Sequence, residues 1–269
     1  RVAWSVYCEV VLNYAGALDH EPTTVSIHDG RKAAPDPDQA NFRLMSHVSK
    51  VTNWRNFDEV CAVHVPEVAS LMREVTGCRA AVVYEPLIRS PQTAVEHSDY
   101  APIESVHSDY TQDYRRMVTD PNHTYAGFLA PLLAANGLSY DDVIGAQRIA
   151  VVQLWRNIGH LQPDRPLAIC DASTVSVEEL IPINIPMYGG LDLDFEACVF
   201  AKPNPVESHR WYTFPHMTDE EVLLFTTYDS ALADDGRPFF TPHTAFVDPI
   251  AGAQAPMRES VEMRSLCLF

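Results

Sequence analysis

From residue 80 to the C-terminus the chain alternates short apolar or aromatic stretches with turn residues, and this texture constrains the fold more than any other feature. The stretches at 80–88, 103–107, 148–158, 167–170, 210–214, 222–228, 244–247 and 260–268 have the length and the β-branched and aromatic content of strands. Eight such strands suit a mainly β fold, a jelly-roll or cupin-like barrel with helices packed outside it. Helical texture occurs at 56–76, 111–117 and 126–136. In the first of these, Val60, Val63, Val68, Leu71, Met72 and Val75 make the apolar stripe, Asn56 or Asp58 offers a cap, and Gly77 stops the helix. Pro66 inside that stripe predicts a kink or two shorter pieces. Residues 1–55 signal less: a strand at 23–27, a turn at Asp29-Gly30 and a loop over 31–38. The expected organisation is an N-terminal extension over 1–55, with no assigned structure, and one β domain over 56–269.

Charge and cysteine use narrow the function classes. With 36 acidic and 19 basic side chains among 269 residues, the formal net charge is −17. A chain this acidic repels a phosphate backbone unless it carries a local basic patch, and its longest basic clusters are the pairs Arg31-Lys32 and Arg115-Arg116. No nucleic-acid partner is expected. No membrane partner is expected either, because no apolar run reaches the roughly 18 residues of a spanning helix. Six scattered cysteines without a CxxC pair point to a reducing compartment, and no signal peptide is evident after Arg1, so a cytoplasmic location is expected. Dinucleotide, Walker and Gly-x-Ser-x-Gly motifs are absent. Asp192 and Asp194 read as loop carboxylates.

The chemistry lies among the eleven histidines. His-Ser-Asp-Tyr occurs twice, at 97–100 and 107–110. On a strand, His-x-Asp puts an imidazole and a carboxylate on one face, where both reach one cation. A distant histidine would complete a two-histidine, one-carboxylate set, which suits non-haem Fe(II) because open positions remain. His97 and Asp99 follow a polar, loop-like stretch. His107 and Asp109 end an extended run and are favoured. For the distal histidine, His209 and His243 both begin aromatic strands. His107 falls on the second strand counted and His243 on the seventh, which can be neighbours at one mouth of a jelly roll, so His243 is favoured over His209. On the next strand, Arg258 and Ser260 share a face and could anchor the far carboxylate of a dicarboxylic acid.

Blocks along the chain carry a resemblance: Pro102-Ile103 and Val106-His-Ser-Asp-Tyr-Thr111; Leu154-Trp-Arg156; Arg165-Pro-Leu-Ala-Ile-Cys-Asp171; Trp211-Tyr-Thr-Phe-Pro215; His243-Thr-Ala-Phe246; and Arg258-Glu-Ser-Val-Glu-Met-Arg264. Together they resemble the fungal hydroxylase/desaturase family of secondary metabolism, AsaB-like or CmcJ-like, from about Phe57 to the C-terminus. The resemblance implies a double-stranded β-helix oxygenase using Fe(II), 2-oxoglutarate and O2 for hydroxylation, desaturation or oxidative ring closure, including aziridine formation, on a small molecule. It implies iron ligation by His107, Asp109 and His243 and a 2-oxoglutarate anchor at Arg258 and Ser260. It also implies a carboxylate-binding role for Arg156, toward co-substrate or substrate.

Two other readings compete. One is a barrel metalloenzyme, an isomerase or a dioxygenase of its own substrate, that uses the same metal without 2-oxoglutarate. The other is a metal-free binding module. Tyr110, Trp155, Phe246 and Met263 are candidate pocket walls, and homodimer formation stays open. A dianionic co-substrate entering so acidic a chain requires a locally positive mouth, with Arg258, Arg156 and Arg264 as its candidates.

Overall fold

The computed structural model describes residues 5–186, 193 and 195–269; Asp192 and Asp194 lie outside the described residues. The described strands are β1 (Val6–Ala15), β2 (His20–Asp29), β3 (Phe42–Ser46), β4 (Ala80–Val83), β5 (Leu87–Arg89), β6 (His107–Ser108) and β7 (Ile149–Asn157). They continue with β8 (Leu167–Cys170), β9 (Leu180–Ile185), β10 (Phe195–Phe200), β11 (Trp211–Thr213), β12 (Glu221–Asp229), β13 (His243–Ala245) and β14 (Ser260–Leu268). One sheet runs β1-β2-β11-β8-β13-β6-β10-β9. The other runs β3-β12-β7-β14-β4, with β5 also on β14. The fold is a jelly roll. Its core lies between the sheets, where Val10, Ile27 and Trp211 of the first meet Val151 and Leu266 of the second.

The central strands owe their burial to two different neighbours. All nine residues of β7 are buried. Alternation sends Ile149, Val151 and Trp155 toward the opposite sheet and Ala150, Val152 and Leu154 toward the helix Val65–Thr76. β14 follows the same rule. Leu266 and Leu268 point inward, while Val261, Met263 and Cys267 pack on Val68, Leu71 and Met72 of that helix. Met263, a candidate pocket wall, is therefore on the outer face of its sheet.

The expected long helix is two pieces. Asn56 caps the first turn by accepting from the Glu59 amide, a π turn covers Val60–His64, and Pro66 occupies the first turn of Val65–Thr76, where its missing N–H costs nothing. Gly77, at φ 73°, closes the helix in the left-handed conformation.

The N-terminal residues contribute more than the sequence signalled. β1 and β2 form a long hairpin, β2 joins β11 in parallel, and β3 edges the second sheet on β12, so residues 6–46 belong to both sheets. The stretch 31–38, expected as loop, holds parts of two one-turn helices, Gly30–Ala33 and Pro37–Ala40, capped by Asp29 and Asp36. β9 and β10 were also unanticipated.

His64, at the π turn, is fully buried against the edge of Trp54, its Nδ1 3.0 Å from a Glu67 carboxylate oxygen. Burial outweighs the Glu67 contact and holds the imidazole down to about 4, against 6.5 when solvated. Below pH 6.5 the unfolded chain takes up a proton that the fold refuses until about pH 4. The contribution is therefore complete above 6.5 and is lost as pH falls through that window; it amounts to roughly 3 kcal/mol. Urea denaturation between pH 7 and 4 should show this loss. In His64→Gln the slope over that window should be shallower.

Candidate metal centre

β6 and β13 are short, but they are neighbours in the larger sheet, and their single register pair is His107 with His243. The two rings lie 4.4 Å apart between centroids. Asp109 follows β6 directly, and one ligand atom from each of His107, Asp109 and His243 lies within 4.8 Å of the others. Among the described residues this is the one His, Cys, Asp or Glu cluster with that spacing.

Each donor is already aimed. His107 Nδ1 lies 2.7 Å from the Ser105 carbonyl and His243 Nδ1 lies 3.0 Å from the Thr241 carbonyl. A carbonyl only accepts, so both rings carry their proton on Nδ1 and present a bare Nε2. Phe225 packs on the His243 ring at 4.8 Å. The Asp109 carboxylate splits its two oxygens: Oδ2 accepts from Arg264 Nε at 2.8 Å, while Oδ1 lies 4.0 Å from His243 Nε2. Burial, then the neighbouring His243, pushes His107 down to about 4. Burial alone would raise Asp109, but Arg264 and the two histidines outweigh it and hold the carboxyl at about 2. At neutral pH the set is thus two neutral imidazoles and one carboxylate, the protonation state that binds a divalent metal. The donor types and spacing fit a non-haem iron.

Behind the ligands, an alternating chain of charge continues inward. Arg264 Nη2 lies 3.8 Å from Glu262, Glu262 accepts from Arg89 Nε at 2.6 Å, and Arg89 donates to the Asp99 and Ala101 carbonyls. A small cavity opens beside it, lined by His107, His243, Arg89, Arg258, Glu262 and Arg264, among others. Three guanidiniums against one carboxylate give this cavity the positive lining that a dianion needs inside an acidic chain. Arg258 is buried, donates once to the Arg165 carbonyl, and leaves Nε without a partner. Ser260 Oγ is also buried and unpartnered. Orphaned buried donors of this kind are rare and fit an oxygen-rich ligand.

The Oxidoreductase/YMDC permease-like domain matches residues 12–268. The chain belongs to this family. The chain is also similar to the hydroxylase/desaturase efuI of Hormonema carpetanum, 28% identical over 86% of this chain and 78% of that protein. A second is the Fe(II)/2-oxoglutarate-dependent dioxygenase nvfI of Aspergillus novofumigatus, 26% identical over 91% and 83%. The hydroxylase/desaturase asaB of Aspergillus flavus is 35% identical over 45% of this chain and 56% of its own. The solved structure of the iron and alpha-ketoglutarate-dependent endoperoxidase NvfI superposes with a TM-score of 0.75 over 98% of both chains at 21% identity, which shows the shared fold. These relatives are thus named as hydroxylase/desaturases or as Fe(II)- or alpha-ketoglutarate-dependent dioxygenases, all of them fungal. Among the described residues no helix is long and apolar enough to cross a membrane.

Within this family member, the other residues singled out from sequence fall elsewhere. Arg156 is a correction. Alternation along β7 turns it away from Trp155 and the core, to the outer face of the sheet. There it is fully buried, donates to the His47 and Asp219 carbonyls, and stacks over Trp54. It is a packing clamp, with no access to the metal cavity. His97 and Asp99 sit at a one-turn helix, half-buried and 3.4 Å from each other. His209 is buried with both nitrogens engaged: Tyr14 Oη lies 2.9 Å from Nδ1, and Nε2 donates to Glu179 at 2.9 Å. His209→Ala should therefore leave Fe(II) binding and turnover intact. Stranding Tyr14 and Glu179 should cost roughly 1–3 kcal/mol of folding stability in urea titrations. Arg89 and Glu262 were missed from sequence. The one available signal was parity, since Glu262 stands midway between Ser260 and Arg264 on the same face of β14.

Proposed function

We propose that His107, Asp109 and His243 hold Fe(II), that Arg258 and Ser260 receive the far carboxylate of 2-oxoglutarate, and that the enzyme oxidises a C–H bond of a small molecule by hydroxylation, desaturation or oxidative ring closure. The observation that carries this reading is the convergence of two pre-aimed imidazoles and one carboxylate beside a cavity lined by three guanidiniums. Bound together, Fe(II) and 2-oxoglutarate supply the activation of O2 that C–H oxidation needs.

The chain's own residues do the rest. The Ser105 and Thr241 carbonyls fix the imidazole tautomers. Arg264 holds one oxygen of Asp109, which leaves the other for the metal and keeps the carboxylate charged. Phe225, against His243, and Leu167 in the cavity wall keep the ligand sphere dry, which strengthens each of these electrostatic contacts. The test is direct. Anaerobic protein with Fe(II) should develop a visible charge-transfer band when 2-oxoglutarate is added. Admitting O2 should then release succinate. An isomerase or a metal-only dioxygenase on the same ligands would release none.

A further inference from the structure

A second cleft adjoins the metal centre and is not part of the 2-oxoglutarate cavity. It offers about 170 Å³ of free volume and is lined by Tyr84, Leu87, Tyr110, Tyr125, Phe128 and Phe195, with Arg264 also in the lining. Arg264 borders both this cleft and the metal cavity, and Tyr110 directly follows Asp109. The cleft therefore reaches the metal centre on its Asp109 side.

Its chemistry is more apolar than its tyrosines suggest. The Tyr125 hydroxyl donates to Tyr84 at 2.8 Å, Tyr84 and Tyr114 are 3.1 Å apart, and Tyr114 and Tyr125 are 3.4 Å apart. The three phenols satisfy one another, so what Tyr84 and Tyr125 offer a ligand is ring surface. Phe128 stands edge-on to Tyr84 at 5.3 Å, and Phe195 edge-on to Tyr110 at 5.9 Å. Charge is committed as well. Arg264 is the one cation in the lining among the described residues, and it already faces Asp109 and Glu262. The other charged residue of the lining is the exposed Glu85. An anionic or zwitterionic ligand would give up its hydration here without gaining a partner.

We propose that this cleft is the substrate chamber and that it takes a neutral, apolar, ring-bearing molecule, in preference to an amino acid or an organic acid. The proposal rests on the oxygenase reading above and names the substrate class for that same site.

Iron-free full-length protein is titrated with Nile red, a neutral apolar dye, followed by fluorescence. Bound dye is then displaced with progesterone (a neutral tetracycle), with cholate (a tetracycle bearing a carboxylate) and with phenylalanine. Progesterone should displace the dye at least tenfold more effectively than cholate, and phenylalanine should not displace it. Leu87→Arg and Phe128→Arg should each weaken dye binding tenfold or more, whereas Ile250→Arg, at an exposed site elsewhere, should not. Equal displacement by cholate or phenylalanine would overturn the proposal, and so would dye binding that survives both cleft variants. The competition needs only the unmodified protein, so a variant that fails to fold does not blunt the test. Absence of the Fe(II)/2-oxoglutarate band in unmodified protein would instead sink the oxygenase reading, whatever the dye does.

Discussion

Asp109→Ala should abolish oxygen-dependent succinate release and weaken Fe(II) binding by more than about 10²-fold, beyond what changes outside the ligand set normally reach. Three effects combine in this one substitution. The metal loses its only anionic donor, so the remaining site is two neutral imidazoles. The Arg264 guanidinium loses its 2.8 Å partner and turns from a support of the site into a positive charge beside it, repelling the cation. Glu262, 3.8 Å from Arg264 and already shared with Arg89, only partly compensates. Isothermal titration with Fe(II) under nitrogen measures the affinity, and succinate assay measures turnover. Retention of iron affinity within threefold of the unmodified protein would show that Asp109 is not a ligand. Comparison with His209→Ala, expected to lose stability and keep iron, separates damage to the fold from damage to the site.

The second large effect falls on the co-substrate. Arg258→Leu should raise the KM for 2-oxoglutarate on the order of 10²-fold, about 3 kcal/mol, the scale of a lost charge-assisted hydrogen-bonding pair. Burial pushes the Arg258 guanidinium down only to about 10, so it stays charged at neutral pH. It has one backbone acceptor and an unpartnered Nε, which is an expensive arrangement for a buried cation until a carboxylate arrives. A distinctive pairing of outcomes follows. Affinity for 2-oxoglutarate should collapse, while the stability of the ligand-free protein should hold or rise, because the substitution removes a charge that the fold leaves poorly compensated. Ser260→Ala should act in the same direction but more weakly, about 1 kcal/mol. A KM unchanged in Arg258→Leu would place the anchor elsewhere.

How much of this was legible in the sequence depended on burial and length. β8 and β14 have the bounds that their apolar runs suggest, and β7 and β12 differ by a residue or so, because strands covered on both sides read as nearly continuous hydrophobic runs. β6 was read as 103–107, but its ladder covers only His107 and Ser108, with a lone bridge from Ser105 to Asn13. The Ile103 carbonyl leaves the ladder to accept from the Ala245 amide, and local composition carries no trace of such a bond. β1 and β3 went unread, and β2 only as 23–27, because they mix exposed polar residues such as Glu9, Thr24 and Arg43 with their apolar ones. At the site, the three converging donors were visible from type and spacing. The errors came from neglecting parity: Trp155 and Arg156 are adjacent and cannot both line one cavity, and Met263 cannot share a face with Ser260 and Arg264. Applied consistently, the period of two would have removed Arg156 and Met263 and brought in Glu262.

The single register pair between β6 and β13 has a mechanical consequence. In the strand order, that pair is the seam between β1-β2-β11-β8-β13 on one side and β6-β10-β9 on the other. A cation gripped by His107 and His243 would clasp the two parts, adding a crosslink to a line that holds one register pair. By mass action, a metal at a hundred times its dissociation constant adds about 2.7 kcal/mol to whatever opening breaks that grip. Iron loading would thus be readable far from any chemistry, as slowed amide exchange along the seam, with the cofactor acting as a rivet in the scaffold that holds it.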